Sequence, residues 1–193
     1  MTNSLVTGAG HRLGRAMALY LATRGHDVAV HYATSEDAAL KVVAEIKAMG
    51  RNAIAVQADL LIEADAQSLV ARAAEQLGGP ILCLVNNAST FEHDTIVSAS
   101  RDTWDHNMGS NLRAPFILTQ AMAAQDLPKR LDPEGEPIAV GLIVNMVDQR
   151  VRKLTPDFMT YTLAKMGLWA LTQTTARALA PNIRVNAIGP GPT

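Results

Sequence analysis

The chain has little of what extracellular, metal-binding or nucleic-acid-binding proteins are built from. Its 193 residues include one cysteine, Cys83, so no disulfide can form within the chain. Charged residues make up 18% and leave a net charge of −1, which gives no indication of a nucleic-acid or membrane-surface partner. The five histidines are scattered without the spacing of metal ligands. We therefore expect no metal and no nucleic acid.

Long apolar runs are also missing. The longest, 138–147, contains Asn145 and is too short to span a membrane. The first apolar residues, Leu5 and Val6, run directly into a glycine loop and leave no room for a signal peptide. We therefore expect no membrane association and a protein of the cytoplasm.

Hydrophobic residues nevertheless make up 48%, and the length favours a single domain over 1–193. Short apolar segments alternate with segments of helical periodicity. The predicted strands are 4–6, 28–30, 53–56, 81–85, 140–144 and 184–187. The predicted helices lie between Leu13 and Gly25, between a capping box at Thr34 and Asp37 and the stop at Gly50, and over 63–77, 101–125 and 156–180.

The strands are apolar throughout rather than alternating, which predicts a parallel sheet covered by helices on both faces. The fold class is therefore α/β: a Rossmann-like, doubly wound sheet in three α/β/α layers. The chain stops directly after the last predicted strand, where this pattern would continue with another helix and strand. We expect the sequence to be incomplete at its C-terminus.

The first strand is followed by a glycine-rich turn, from Thr7 to Gly14. Glycines permit a tight turn with close backbone approach, and the helix that follows offers free N–H groups to a pyrophosphate. An ordinary glycine-rich turn is the alternative, since a bare glycine pattern is a weak signal. The strand–turn–helix context favours a dinucleotide site.

The end of the second strand favours NADPH over NADH. About twenty residues beyond the glycine loop, an NAD enzyme places an acid on the adenosine ribose. Here 31–35 contain no acid, and Glu36 is predicted in the first turn of a helix, where acids interact favourably with the dipole. Arg12, within the loop, would suit an extra phosphate. A solvated residue at the start of a helix is the alternative for Arg12.

Tyr161 and Lys165 form a Tyr-x-x-x-Lys pair on a predicted helix, and this spacing puts both side chains on one face. A tyrosine with a pKa near ~10 is a poor acid or base at neutral pH, and a neighbouring ammonium lowers that pKa. The same ammonium can hold ribose hydroxyls. Such a pair also occurs by chance, so two unrelated helix residues are the alternative.

Four motifs, in the order Thr-Gly-x-x-x-x-x-Gly, Asn-Asn-Ala, Tyr-x-x-x-Lys and Pro-Gly, together resemble the short-chain dehydrogenase/reductase family. The resemblance covers essentially the whole chain. It implies catalytic roles for Asn111, Tyr161 and Lys165, with Asn111 ordering a water chain behind Lys165. It also implies a cofactor site lined by Gly8, Arg12, Leu13, Gly14, His31, Tyr32, Ser35, Asp59, Leu60, Asn87, Ala88, Ser89, Tyr161, Lys165, Pro190 and Gly191.

Three features resemble the pteridine reductase branch of that family. Arg12 stands in the glycine loop, Phe91 follows Asn-Asn-Ala, and Asp148 stands where the family has a serine. The pair at 31–32 also fits the branch. The chain departs from it at Thr34, where those reductases often carry arginine. Any grip on a 2′-phosphate is therefore expected from Arg12 and Ser35.

This branch makes chemical sense. Reducing a C=N bond of a pterin needs a hydride at carbon and a proton at nitrogen, which Tyr161 can donate. A carboxylate beside the tyrosine raises the tyrosine pKa, so we interpret Asp148 as a partly protonated relay or as the partner of a substrate N–H. Phe91 could stack on a flat heteroaromatic ring. A surface carboxylate and a core aromatic are the alternatives for these two residues.

The sequence therefore predicts an NADPH-dependent reductase of a pterin-like small molecule, a dihydropteridine or dihydrofolate, with Phe91, Asp148 and Tyr161 at the substrate. One alternative is a reductase of another carbonyl compound, such as a 3-oxoacyl thioester. The other is a catalytically silent dinucleotide-binding module, against which the intact Asn111, Tyr161 and Lys165 argue. The resemblance also implies a homodimer or homotetramer joined through the two long helices.

Overall fold

The computed structural model describes residues 2–191 and contains one six-stranded, wholly parallel sheet. The strands are β1 (Thr2–Val6), β2 (His26–Tyr32), β3 (Ala53–Gln57), β4 (Ile81–Asn86), β5 (Gly141–Met146) and β6 (Ile183–Ile188). The helices are α1 (Arg12–Thr23), α2 (Glu36–Ala48), α3 (Glu63–Leu77), α4 (Arg101–Met108), α5 (Ala114–Ala123) and α6 (Met159–Ala178). All six predicted strands are confirmed, each one to four residues longer than its apolar run.

Successive side chains of each strand enter two separate cores. In β1, Leu5 packs with Leu84, Ile143 and the inner faces of α3 and α5. Its neighbour Val6 packs with Val28 and with α1 and α2 on the other face. A strand buried on both faces has no position for a polar side chain, which explains the continuous apolar runs. The three-layer α/β/α prediction is confirmed.

The strand order is β3-β2-β1-β4-β5-β6. The chain moves outward from β1 through β2 to β3, then returns to pair β4 against the other side of β1. The carboxyl ends of β1 and β4 therefore flank the point where the winding reverses. In open α/β sheets, ligands bind in the crevice at this point.

The predicted N-terminal cap of the second helix is wrong. Thr34 does not cap α2: the N-cap is Ser35, and it makes no side-chain capping bond. A true capping box lies instead at α4, where Ser100 accepts from the Thr103 amide and the Thr103 hydroxyl accepts from the Ser100 amide. Ser, Asn and Asp also favour turns without capping, so the residue pattern alone does not locate a cap.

The long helix predicted over 101–125 is interrupted by a π-helical turn, Gly109–Arg113, between α4 and α5. Pro115 lies four residues after Asn111 and has no N–H, so it cannot donate the bond that the Asn111 carbonyl would accept in an α-helix. The ladder widens by one residue at this point. Single π-turns of this kind are frequent at functional sites.

Candidate active site

The glycine loop joins β1 to α1 and is tightly packed. Gly8 has φ +61°, and a Cβ added to Gly14 would lie 2.2 Å from the Gly8 carbonyl oxygen and 2.6 Å from Nδ2 of Asn87. Only a residue without a side chain fits at either position. The loop therefore brings bare backbone to the mouth of the crevice, at the N-terminus of α1.

His31 lies beneath the loop rather than on its surface. The ring is 1% exposed; Nδ1 accepts from the Gly8 amide at 3.0 Å, so Nε2 carries the hydrogen that is shared with the Ala58 carbonyl at 3.0 Å. Burial lowers the pKa of His31 to about 4, which keeps the ring neutral. The predicted direct contact with a cofactor is replaced by a supporting role, because both ring nitrogens are already used.

Thr7 and Asn87 tie the loop to the end of β4. The Thr7 hydroxyl accepts from the amides of Asn87 and Ala88, both at 2.9 Å, and donates to the Val85 carbonyl. Nδ2 of Asn87 donates back to the carbonyls of Thr7 and Gly8. The Asn-Asn-Ala motif thus fixes the two strand ends that form the crevice, and its first residue, Asn86, links β4 to Asn145 of β5.

The region predicted for a 2′-phosphate is a groove of about 750 Å³ between α1 and α2, lined by His11, Arg15, Ser35 and Lys41 among others. Arg12, at the start of α1, is exposed and has φ +46°, a conformation that glycine adopts more easily. Non-glycine residues held there cluster at ligand clamps.

Glu36 is in the first turn of α2, as predicted, and the Tyr32 hydroxyl at the end of β2 donates to its carboxylate at 3.1 Å. Acidic Glu36, Asp37 and Glu45 line the same groove as the cations.

The remaining predicted cofactor residues lie on α1 and in the segments that follow β3 and β6. Leu13 is partly exposed on α1, and Asp59 and Leu60 follow β3, where a carboxylate oxygen of Asp59 accepts the Leu61 amide. Pro190 and Gly191 follow β6. Beside them, a Cβ on Gly189 would lie 3.5 Å from the Val147 side chain, so the end of β6 abuts the segment that carries Asp148.

Tyr161 and Asp148 are in direct contact. The Tyr161 hydroxyl donates to Oδ2 of Asp148 at 3.1 Å, and Oδ1 of Asp148 accepts the Arg150 amide at 2.8 Å. Both carboxylate oxygens are therefore used as acceptors. Tyr161 is 6% exposed and Asp148 caps the short 3₁₀ turn Gln149–Val151, so loop and helix place the pair rigidly at the carboxyl end of β5.

The electrostatics of Tyr161 favour the neutral phenol. Burial, and then the carboxylate of Asp148, raise the Tyr161 pKa well above its usual value; Arg150 and a hydrogen bond from Ser89 lower it by less. The carboxylate effect was expected from the sequence. The lowering of this pKa that was expected from Lys165 is not found.

Lys165 is buried beneath the tyrosine on α6. Its side chain is 3% exposed, Nζ donates to the Met146 carbonyl at 2.8 Å, and Nζ lies 5.5 Å from the Tyr161 ring centroid. Burial lowers the pKa of Lys165 to about 8, although Asp148 opposes that shift. The i, i+4 spacing does put both residues on one face of the helix, with the ammonium beside the Tyr161 ring.

Asn111 is fully buried in the π-helical turn, and its side chain is saturated. Nδ2 donates to the carbonyls of Thr90 and Asn107, and Oδ1 accepts from the Ser89 hydroxyl at 2.5 Å. The side chain thus anchors the segment after β4 to the α4–α5 unit. Any role in ordering water would therefore fall to the Asn111 backbone carbonyl, which lacks its regular α-helical partner.

Phe91 forms one wall of the site, and it is not a core residue. It is 54% exposed, lies edge-to-face with Tyr161 at 4.8 Å, and stacks on Phe158 with ring centroids 4.1 Å apart and 7° between planes. The guanidinium of Arg150 lies beside both rings. The exposed aromatic surface next to the tyrosine is suited to a flat ligand.

Sequence reasoning missed Phe158, Arg150 and Asp94. Phe158 is the N-cap of α6 with φ 57° and ψ 48°, and its amide donates to the carbonyl of Asp94 at 2.8 Å. The buried Asp94 carboxylate accepts from both the amide and the hydroxyl of Thr160. No residue pattern predicts that a phenylalanine will have a left-handed backbone. Of the three residues, only Arg150 could have been found from the sequence, because it lies two positions after Asp148.

Within residues 2–191, no group of three or more acidic, histidine or cysteine side chains is arranged to hold a metal ion. No helix in that part of the chain combines the length and apolarity that crossing a membrane requires.

Known proteins resemble this chain over nearly all of its length. The family model for short chain dehydrogenases matches residues 2–193. The solved structure of FolM alternative dihydrofolate reductase 1 from Brucella suis, in complex with NADP, is 44% identical with a TM-score of 0.89, covering 100% of this chain and 76% of that one. The 3-oxoacyl-[acyl-carrier-protein] reductase FabG of Staphylococcus epidermidis is 35% identical, over 98% of this chain and 74% of that protein. The chain belongs to the short-chain dehydrogenase family of oxidoreductases.

Proposed function

We propose that this short-chain dehydrogenase is an NADPH-dependent reductase of a pterin-like substrate, a dihydropteridine or dihydrofolate. The observation that carries the proposal is the contact between the Tyr161 hydroxyl and Asp148, below the exposed ring of Phe91. It combines a proton donor, an acceptor for a ring N–H and a stacking surface in one place. The 44% identity with the Brucella enzyme supports the same interpretation.

The residues of the crevice fit a dinucleotide. The bare backbone of Gly8 and Gly14 and the free N–H groups at the start of α1 suit a pyrophosphate. The exposed hydroxyl of Ser35 makes no side-chain hydrogen bond within residues 2–191, and with Arg12 it would meet a 2′-phosphate. Bound NADPH would supply the hydride. Lys165 would hold the ribose, with Asp59 near the adenine.

The state of Tyr161 suits reduction. Reduction needs a protonated donor, whereas oxidation of an alcohol needs a phenolate base. Burial and Asp148 both raise the Tyr161 pKa and keep the hydroxyl protonated at neutral pH. When a substrate nitrogen approaches, the Tyr161 hydroxyl would turn from Asp148 toward it and donate its proton. The Asp148 oxygen that it leaves could then accept an N–H of the substrate.

Asp148 serves best as the partner of a substrate N–H. Of the two roles considered for it, a protonated relay needs an O–H on the carboxyl group. Here Oδ1 accepts an amide, Oδ2 accepts the tyrosine hydroxyl, and the guanidinium of Arg150 lies 3.6 Å away. An acceptor-only carboxylate complements the N–H-rich edge of a pterin ring and repels the oxyanion of a ketone.

A second candidate is a 3-oxoacyl thioester reductase, which the 35% identity with FabG favours. The Asn111, Tyr161 and Lys165 set would serve that reaction equally well. Asp148 argues against it, because a carboxylate cannot donate to the oxygen of a carbonyl.

We also propose that the protein forms a homodimer or homotetramer through α4, α5 and α6. Trp104, Phe116, Leu163 and Met166 on these helices are 37–44% exposed. Apolar side chains of this size, presented together by neighbouring helices, are typical of a subunit interface.

The test is the loss of NADPH absorbance with dihydrobiopterin, dihydrofolate and acetoacetyl thioester, for wild type and Asp148→Ser. We expect the wild type to reduce a pterin, and Asp148→Ser to lose about 100-fold in kcat/KM because the acceptor is gone. Asp126→Ser, at an exposed carboxylate beyond α5, is the matched control. Turnover of the thioester alone, or an unchanged Asp148→Ser variant, would overturn the pterin assignment.

A further inference from the structure

Arg150 occupies an unusual position at the edge of the aromatic wall. It lies in the 3₁₀ turn after β5, and its side chain is 19% exposed. The guanidinium carbon is 4.8 Å from the Phe158 ring centroid and 5.5 Å from that of Phe91. Because these two rings are stacked on each other, such similar distances place the guanidinium along the side of the stack rather than on top of it.

Among residues 2–191, few acceptors meet this guanidinium, and its hydrogen-bonding capacity is largely unused. It has five N–H donors in a planar fork. Its nearest acidic partner is Oδ1 of Asp148, 3.6 Å from Nη1, which is beyond hydrogen-bond distance, and that oxygen already accepts the Arg150 amide. Nε is shielded from solvent without any partner within residues 2–191. A buried donor without an acceptor is costly, and in a native protein it calls for an explanation.

The described part of the chain, residues 2–191, does not supply the missing acceptor. The acids next to the two stacked rings in the chain, Glu92 and Asp157, are paired with His106 and His93. A flat ring placed against Phe91, within reach of the Tyr161 hydroxyl, would bring its edge toward the guanidinium. An oxygen on such a ligand would meet a fork that is pre-positioned by the aromatic stack.

We infer that Arg150 is a specificity-determining residue, which binds an acceptor oxygen of the substrate. The inference rests on the proposed function and deepens it. A reduced pterin offers that oxygen from two sources: the carbonyl of the ring itself, or the carboxylate of a conjugated glutamate. Either source gives a charge-assisted hydrogen bond.

This role differs from that of Asp148 and Tyr161. Arg150 acts on the bound substrate as a whole, so its removal should raise KM more than it lowers kcat. A smaller effect on kcat follows from its charge, since Arg150 also lowers the pKa of Tyr161. Without it the phenol becomes a weaker acid, which adds a smaller loss in kcat to the larger rise in KM.

The experiment compares Arg150→Met, Arg150→Lys and Arg152→Met with wild type, using dihydrobiopterin and dihydrofolate. Arg152 is exposed in the same loop and makes no ion pair within residues 2–191, so it is the matched control. We expect Arg150→Met to raise KM about tenfold or more, Arg150→Lys to have an intermediate KM because it keeps the charge and loses the fork, and Arg152→Met to match wild type. The affinity for NADPH, measured by fluorescence quenching, verifies that each variant is folded.

The two substrates separate the sources of the oxygen. A rise in KM for both supports the ring carbonyl, and a rise for dihydrofolate alone supports the glutamate carboxylate. If wild type reduces both pterins and Arg150→Met keeps KM within twofold for both, the inference about Arg150 fails while the proposed function stands. If wild type reduces neither pterin, the proposed function fails and the inference falls with it.

Discussion

Replacing Lys165 by methionine should abolish turnover and at the same time stabilise the protein at neutral pH. Lys165 is 3% exposed, and burial lowers its pKa from 10.5 to about 8. At pH 7 the lysine is protonated in both the folded and the unfolded chain, but only in the folded chain is the charge buried. That difference in pKa costs the folded state about 3 kcal/mol at pH 7.

Methionine removes this cost and keeps an unbranched apolar stem of similar length. It also removes the donor to the Met146 carbonyl, and an unsatisfied buried carbonyl costs about 1–3 kcal/mol. We therefore expect Lys165→Met to raise the free energy of unfolding at pH 7 by up to about 2 kcal/mol. Turnover should fall by at least about 100-fold, since no ammonium remains below Tyr161.

The dependence on pH is the sharper test. The folded-state pKa is lowered, so between about 8 and 10.5 the unfolded chain binds a proton that the folded chain does not. The stability of the wild type therefore rises with pH in this window, by about 2 kcal/mol between pH 7 and 9.5 relative to Lys165→Met. Urea unfolding at both pH values measures the difference. A constant gap between the two proteins would refute the argument that Lys165 is a buried, destabilising charge.

Two further predictions concern the glycine loop. Gly14→Ala places a Cβ 2.2 Å from the Gly8 carbonyl, so we expect a loss of about 1–3 kcal/mol in unfolding free energy and at least tenfold weaker NADPH binding by titration; wild-type affinity would contradict the proposed cradle. His31→Gln should remove an acid sensitivity: the His31 pKa is lowered to about 4, so as pH falls below 6.5 the unfolded chain takes up a proton first and the wild type loses about 2 kcal/mol between pH 7 and 5 relative to the variant. Parallel stability curves for the two proteins over that range would show that the ring is not held neutral.

Much of the fold could be predicted because each strand is a short apolar run and each of the first five precedes a helix. Leu5 and Val6 point to opposite cores, and this two-sided burial is what makes a parallel strand readable without alternation. The boundaries were harder. The π-helical turn at Gly109–Arg113 depends on a single missing N–H at Pro115, which periodicity over 101–125 does not register.

In the candidate site, too, some residues could be predicted from the sequence and others could not. Residues with an obligatory backbone role, such as Gly8 and Gly14, were readable because their type is itself the signal. The region in which His31 lies was predicted, but the direction of its side chain was not. The ring lies under the loop instead of facing the crevice. A side chain at the end of a strand points to one face or the other, and sequence position near a site does not say which.

The aromatic wall shows why some residues escape any sequence argument. Phe158 contacts Phe91 because its backbone is left-handed, and that conformation is held by Asp94, 64 positions earlier in the chain. The strained conformation of Phe158 is stabilised by the buried bonds that Thr160 donates to Asp94, and the Thr160 hydroxyl also accepts from Asn107 of α4. The contacts that hold Phe158 come from three separate segments of the chain, so no local sequence pattern predicts them. It nevertheless determines where the guanidinium of Arg150 can lie, and so which edge of a flat substrate faces the cation while its nitrogen faces Tyr161.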